Sequence, residues 1–323
     1  PATASDEASL LIYGDRLLPL FKKTLPIAPA IGGWGSLVSG QAVLLESMLA
    51  SQGAEDPMVT NIAWLQNQFE IKTRVDTATH PGLLAANGQA APLKYAQLLP
   101  EGTAALLAMR FTPEWKKQAT DGINEYAKAD PQTAQAMAMG PMVLGMLGDE
   151  VTLGISGVKD DAPTVLLMVG LSNVESTKPL LQAFLPTGQS EVYKDVTISS
   201  IQNVPSPIPF WLAFAGDMLM IGSNVDKMKA VIDLVKDSRT SGALAGLTPP
   251  MDPTTPRYSA FLINTSLWTD VVGPLNNIIN FMPAETKPIA ETLTSVLGEV
   301  RMLSEMEGSW QTSKLTIYLK DAA

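Results

Sequence analysis

Side chains suited to acid–base or metal chemistry are few in this sequence. His80 is the only histidine, and it stands beside Pro81 and Gly82 with no cluster of acids or second ligands around it. A histidine in this setting is usually a solvated loop residue. The acidic pairs are Asp149/Glu150, Asp160/Asp161 and Glu305/Glu307. None has the alternating Asp/Asn spacing and glycine of a calcium-binding loop, so we expect all three in surface turns and predict no metal site.

The motifs of common enzymes are missing as well. The chain has no cysteine, which excludes disulfides, thiolate zinc sites, iron–sulfur clusters and cysteine nucleophiles. It also lacks Gly-x-Ser-x-Gly, the phosphate loop Gly-x4-Gly-Lys-Ser/Thr and the dinucleotide loop Gly-x-Gly-x2-Gly. A hydrolase that uses two carboxylates far apart in sequence stays open as a third interpretation. We predict a protein without catalytic residues and without a cofactor.

Methionines form the most unusual cluster. Met137, Met139, Met142 and Met146 fall within one stretch of helical sequence. Because methionine is flexible and polarizable, it suits irregular apolar grooves as well as ordinary cores. One hypothesis is therefore a groove for a lipid-like ligand beneath this helix, and the alternative is plain core packing.

Composition limits the possible partners. The net charge of −10 argues against nucleic acid and against anionic lipid headgroups. With 46% hydrophobic and 17% charged residues, the chain can bury a large core or form an apolar groove. No run of about 18 uncharged apolar residues occurs, so we predict no transmembrane helix. Residues 1–5 are small and polar. They fit either the sequence that follows a cleaved signal peptide or an arbitrary start of the chain.

The elements that would carry these residues are arranged in a recurring order. Each of three segments begins with a short apolar strand, continues through helical sequence and returns as one or two strands. These segments run from 9–13 to 69–73, from 104–108 to 165–169 and from 259–263 to 315–319. The alternation of apolar and polar residues in the strands predicts an antiparallel sheet with one solvated face. We expect an α+β protein of repeated units, each with helices packed on one face of the sheet.

The units have predicted boundaries. We assign 1–88 to a shortened first unit, 89–250 to a full middle unit, and 251–323 to a shortened third unit that packs with the middle one. The pattern Trp-x4-apolar-x-Ile occurs at Trp64 and at Trp310, and we expect these tryptophans to be equivalent. The end of the third unit, 315–319, is predicted to be an edge strand that can pair with a partner.

One junction occurs twice in the middle unit. A strand and a glycine lead into Ser172-Asn173-Val174-Glu175 and again into Ser223-Asn224-Val225-Asp226. The spacing from serine to acid is that of a capping box, with serine as the N-cap of the following helix. Gly216-Asp217 predicts a tight turn between two strands.

The middle unit, over about 98–265, resembles a family of bacterial exported proteins of unknown function. The motifs are Leu-Pro-x-x-Thr-Ala, an acid-led strand, and Gly-Asp-x-Leu-x-Ile-Gly before a helix. They stand here as Leu99–Ala104, Gly148–Val151 and Gly216–Gly222. The resemblance implies an extracytoplasmic α+β fold with repeated units, in the periplasm or at the cell surface, and it supplies no catalytic residues.

Two functions therefore compete. The first is a non-enzymatic extracytoplasmic scaffold that binds an unknown protein partner. The second is a carrier of an apolar, lipid-like ligand. Low aromatic content and many small residues fit both an apolar groove and ordinary core packing, and the scaffold is the first interpretation.

Overall fold

The structure is a computed structural model. It describes residues 6–12, 58–65, 67–78, 88–129, 140–159, 162–204, 208–241, 243–244, 247, 250–264 and 297–320. Strands dominate these parts of the chain, and all of them join one antiparallel sheet of 13 strands. The α+β class is therefore correct in outline, with the sheet as the main element.

The strands are numbered along the chain. They are β1 Asp6–Ile12, β2 Met58–Leu65, β3 Gln68–Asp76, β4 Thr103–Arg110, β5 Leu147–Lys159, β6 Ala162–Leu171, β7 Thr187–Tyr193, β8 Val196–Ile201, β9 Trp211–Ala215, β10 Met218–Gly222, β11 Arg257–Asn264, β12 Leu297–Glu307 and β13 Trp310–Leu319. Their order in the sheet is β1-β2-β3-β13-β12-β11-β4-β5-β6-β10-β9-β8-β7.

Four α-helices and one short 3₁₀ helix are described. The α-helices are α1 Pro113–Ala129, α2 Gly140–Met146, α3 Val174–Phe184 and α4 Val225–Lys236, and the 3₁₀ helix is Ala96–Leu98. Both α3 and α4 have an asparagine as the N-cap residue. Asn173 accepts a hydrogen bond from Ser176 N, and Asn224 accepts one from Lys227 N, which satisfies one free backbone donor at each helix start. The prediction of a serine N-cap was wrong by one residue at both junctions.

Three groups of three strands share one connection order. In β1-β2-β3, β4-β5-β6 and β11-β12-β13, a long connection follows the first strand and a tight connection joins the second and third. The groups meet through like strands, because β3 pairs with β13 and β11 pairs with β4. Strands β11, β12 and β13 thus lie between the other two groups and pair with both. The strand predicted at an edge, β13, is interior, and β1 and β7 are the edges.

Successive side chains of a strand point to opposite faces, and directly opposite residues of antiparallel neighbours share a face. Trp64 lies opposite Phe69, and Phe69 lies opposite Ile317. Trp310 is seven positions before Ile317 in β13, an odd number, so it points to the other face. The predicted equivalence of Trp64 and Trp310 was therefore wrong.

One face of the sheet, here called the core face, carries the main core. Leu106, Leu166, Met168, Met220 and Leu262 on this face are at most 3% exposed. Helix α4 packs there through its buried residues Met228, Val231 and Ile232. Helix α3 packs instead against the opposite face, where Val174 and Leu181 join Leu212 and Leu219 in a smaller cluster. Helices therefore cover both faces of the described sheet, and the prediction of a single covered face was wrong.

Candidate functional site

A row of large apolar residues crosses ten neighbouring strands on the face opposite the core. Each member lies directly opposite the next, so the row runs perpendicular to the strands. In order across the sheet, this apolar row consists of Ile62, Ile71, Leu315, Met302, Phe261, Leu107, Leu153, Leu167, Ile221 and Leu212. At about 4.8 Å between strands, its length is roughly 43 Å.

The apolar row is partly exposed to solvent. Leu107 is 39% exposed and Met302 is 51% exposed, whereas Leu106 and Leu262, their neighbours on the core face, are 2% and 1% exposed. Of the ten members only Leu212, which lies under α3, is buried. Exposed apolar patches of this extent are uncommon on monomeric soluble proteins and usually mark a binding surface.

The rows on either side define the width of the apolar surface. On one side lies a second mostly apolar row with exposed Trp64 at its end, whose ring centroid is 5.8 Å from that of Phe69. This row continues with Ile317, Val300, Ile263, Ala105, Ile155 and Val165. On the other side the outer strands carry hydroxyl groups, namely Thr60, Thr73, Ser313, Ser304 and Ser259. Over the five strands β2, β3, β13, β12 and β11, the apolar surface is thus two rows wide with a polar border.

A second site lies at the end of the middle strands, where β5 is irregular between Leu147 and Val151. Bulges often redirect a side chain at such places. Here the side chain of Glu150, 2% exposed, accepts hydrogen bonds from the backbone N–H groups of Lys94, Tyr95 and Ala96 at 2.6, 2.8 and 3.2 Å. The Thr152 hydroxyl donates to the same carboxylate at 2.9 Å. Glu150 therefore fixes residues 94–96 against the sheet, and its prediction as a surface-turn residue was wrong.

Tyr95 and Asp217 complete one wall of this site. The Lys94 ammonium lies 2.6 Å from Asp217 Oδ2, and the Asp217 carboxylate also acts electrostatically on Tyr95. Burial, together with the charge of Asp217, raises the pKa of Tyr95 far above its usual value. Asp217 follows Gly216, whose φ of +60° favours glycine and makes the β9–β10 turn tight. The predicted turn at Gly216-Asp217 is confirmed.

This wall separates two cavities, each open to solvent. The apolar one has a volume of about 530 Å³ and is lined by Leu98, Met218, Leu234 and Val235 among others. The polar one has a volume of about 500 Å³ and is lined by Arg110, Lys116, Asp149, Glu150 and Ser172 among others. Lys94, Tyr95 and Asp217 line both cavities. The acid-led strand and the Gly-Asp turn of the sequence motifs thus meet at one place, although they are distant in sequence.

The core face of the outer strands is charged. Three ion pairs join neighbouring or alternate strands, namely Lys314–Glu70, Lys72–Glu307 and Arg257–Glu305. A fourth pair, Arg301–Glu299, lies within β12. Glu305 and Glu307 therefore lie within β12 and are paired with cations, and their prediction as surface-turn residues was wrong. The acidic pair Asp160/Asp161 and His80 lie outside the described residues.

The predicted methionine groove is only partly within the described chain. Met142 and Met146 belong to α2, where Met142 is 41% exposed, and α2 buries none of its residues. A small groove between α1 and α2 is lined by Pro113, Lys116, Pro141 and Leu144 among others, without either methionine. Met137 and Met139 lie outside the described residues, so the groove stays a prediction.

Searches for similar proteins found no matching protein-family model, no matching curated protein and no matching solved structure. Within the described ranges, no helix is both long and apolar enough to cross a membrane. The same residues contain no group of three or more acidic or histidine side chains placed to hold a metal ion. The interpretation of the apolar row and of the site around Glu150 therefore depends on their geometry alone.

Proposed function

We propose that this chain is a non-enzymatic binding protein that takes up the hydrocarbon chain of a lipid-like ligand along the apolar row. The observation that carries this proposal is the row itself, ten large apolar side chains in register, nine of them partly exposed. Burying this surface against hydrocarbon would gain about 25 cal/mol for each Å² removed from water.

The chemistry of the row supports hydrocarbon as its occupant. None of the ten side chains offers a hydrogen-bond donor, and the thioether of Met302 is only a weak acceptor. A typical protein–protein interface carries about one hydrogen bond per 100–200 Å² and is enriched in tyrosine, tryptophan and arginine. The apolar row has none of these three residue types and Phe261 is its only aromatic. An acyl chain needs no polar partner, which matches this composition.

The dimensions support the same occupant. The bilayer core of about 30 Å holds two acyl chains end to end, and the row is roughly 43 Å long. Helix α3 covers the end of the row at Leu212 and Ile221, so the open part runs from Ile62 to Leu167 over eight strands. This open part is roughly 34 Å long and can accommodate one or two extended chains. The hydroxyl row from Thr60 to Ser259 would border the ligand on one side over the outer strands.

A protein-interaction scaffold is the second candidate, and one observation favours it. Strand β7 is an edge of the sheet, and its Val192 is 73% exposed. An edge strand presents unpaired backbone groups that another strand can bind. In this function β7 would add a strand from a partner protein, and the apolar row would not need to bind hydrocarbon.

Both candidates belong to a wider proposal about organisation and location. The shared connection order of β1-β2-β3, β4-β5-β6 and β11-β12-β13 supports copies of one ancestral unit. These groups correspond to the units proposed at 1–88, 89–250 and 251–323. The sequence resemblance supports an extracytoplasmic location.

Binding of parinaric acid, a fluorescent long-chain fatty acid, tests the proposed function. The wild type should bind it saturably, and the double variant Leu107→Gln/Met302→Gln should bind at least about tenfold more weakly, because it places two amides in the row. Leu180→Gln is the matched control: Leu180 is 42% exposed, close to the 39% of Leu107, but it lies on α3. This control should bind like the wild type.

Circular dichroism should confirm that all variants are folded. Equal affinity of the double variant and the wild type, or no saturable binding by the wild type, would refute the proposal. Native mass spectrometry separates the two candidates, since co-purified lipid supports the carrier and a protein-only complex of defined stoichiometry supports the scaffold.

A further inference from the structure

Arg110 occupies an unusual position in the polar cavity. It is the last residue of β4 and lies directly opposite Glu150 on β5. Arg110 lines the cavity, yet its Nε is buried and has no hydrogen-bond acceptor. Buried donors in proteins nearly always have a partner, and an exception requires an explanation such as an ion, a ligand or a water.

The carboxylates near Arg110 are already engaged or point to solvent. Glu150 accepts four hydrogen bonds from Lys94, Tyr95, Ala96 and Thr152. Asp217 is held by Lys94 at 2.6 Å. The side chain of Asp149 is 68% exposed. In the described part of the chain, no carboxylate pairs with Arg110.

Lys116 brings a second cation to the same cavity. Helix α1 places its ammonium 2.7 Å from Leu147 O and 3.9 Å from Asp149 Oδ1. An ammonium has three protons to donate, and these two contacts leave it able to donate to a ligand in the cavity. The cavity thus combines a guanidinium without an acidic partner and an ammonium with donor capacity.

We propose that the polar cavity is a binding site for a small oxyanion, a carboxylate or a phosphate group, held by Arg110 and Lys116. The planar guanidinium donates two parallel hydrogen bonds to such a group, which gives both affinity and orientation. The volume of about 500 Å³ admits a small anionic molecule or the acidic end of a larger one. This site is independent of the apolar row, because it lies at the end of the strands and on the core face.

Isothermal titration with inorganic phosphate and with acetate tests the site and distinguishes the two anions. The protein should bind at least one of them saturably, and raising the salt concentration should weaken binding. Arg110→Gln should lose at least about tenfold in affinity. Arg110→Lys keeps the charge without the fork, so it should fold and bind the anion with intermediate affinity.

Arg239→Gln is the matched control, since Arg239 is exposed, pairs with Asp237 and lines only the neighbouring apolar cavity. It should bind the anion like the wild type. Failure of both anions to bind with a Kd below about 10 mM, a binding free energy of about 3 kcal/mol, would refute the site. Wild-type affinity in both Arg110→Gln and Arg110→Lys would refute it as well.

Discussion

Leu107 on β4 and Met302 on β12 lie on the same side of the sheet, each directly opposite Phe261 on the strand between them. Both are well exposed, and Phe261 is partly exposed. Their neighbours along the same strands, Leu106 and Leu303, point to the other face and are buried. A single sheet thus presents two apolar surfaces, of which one is a core and the other faces solvent.

Two methionines can distinguish these surfaces by their effect on stability. Met220 is 0% exposed in the main core, and Met302 is 51% exposed in the apolar row. We expect Met220→Ala to lower the free energy of unfolding by about 3 kcal/mol, because it leaves a cavity, and Met302→Ala to lower it by less than about 1 kcal/mol. Urea denaturation measures both. Similar losses at the two positions would mean that the row is a second core rather than a binding surface.

Much of the sheet can be predicted from the sequence, because short apolar runs mark β4, β6 and β11 and alternating apolar residues mark β3. Strand β12 is harder to predict. Its sequence is rich in Glu, Met, Leu and Arg, which favour helices. Pairing with β11 and β13 overrides that local preference. Its alternation becomes clear only when Glu299, Arg301 and Glu305 are seen to form ion pairs on one face.

Strand β7 could not be predicted from turn residues. Its hairpin with β8 turns at Lys194 and Asp195, which have φ of 47° and 64°. Glycine or asparagine usually occupies such left-handed positions. Lys194 also contacts Asp233 on α4 at 2.7 Å. This contact joins the turn to a helix that is distant in sequence, so no local pattern predicts the turn.

The candidate sites depend on pairing that the sequence does not encode locally. Each strand of the apolar row shows its apolar residues, but only the order β3-β13-β12-β11-β4 brings Ile71, Met302 and Leu107 into one line. The polar cavity likewise combines Lys94, Arg110 and Asp217 from three distant segments. The sequence motifs do include Glu150 and Asp217. The run Asp149-Glu150 was the feature of the sequence that could have indicated the polar cavity.

Glu150 should be a main support of the polar site. Glu150→Ala removes the acceptor for three backbone N–H groups and the Thr152 hydroxyl, so we expect the free energy of unfolding to fall by about 3 kcal/mol. Asp149→Ala is the matched control, since that side chain is 68% exposed, and it should cost less than about 0.5 kcal/mol. Urea denaturation of both variants at neutral pH is the measurement. Equal losses would show that Glu150 has no special structural role.

The same carboxyl gives a dependence on pH. Burial raises the pKa of Glu150 above its ordinary 4.5, although hydrogen bonds from Thr152 and from the backbone of residues 94–96 lower it. Because the pKa of Glu150 is higher in the folded than in the unfolded state, protonated Glu150 stabilises the fold most at pH values below the unfolded-state pKa. This stabilisation is lost as the pH rises through the folded-state pKa. Because glutamine does not titrate, the free energy of unfolding of the wild type minus that of Glu150→Gln should fall as the pH rises above 4.5. A signed difference that stays constant or increases with pH would contradict the raised pKa.

Glu299 and Arg301 form a buried ion pair on the core face of β12, and each side chain is 5% exposed. Burial raises the pKa of Glu299, and Arg301 opposes that rise. Removing one partner leaves the other charge buried and costs about 3–5 kcal/mol, whereas removing both costs much less than the sum. A double-mutant cycle with Glu299→Gln and Arg301→Met should therefore give a coupling free energy above about 2 kcal/mol.

The exposed pair Lys117–Asp121 on α1 is the control for this cycle. Its side chains are 78% and 58% exposed, so solvent screens the attraction and the coupling should not exceed the error of the measurement. Urea denaturation of the two sets of variants compares the pairs directly. If the coupling between Glu299 and Arg301 is as small as that of the exposed pair, water must reach the charged face of β12. The outer strands would then be solvated on the core face while their apolar side chains lie on the opposite face.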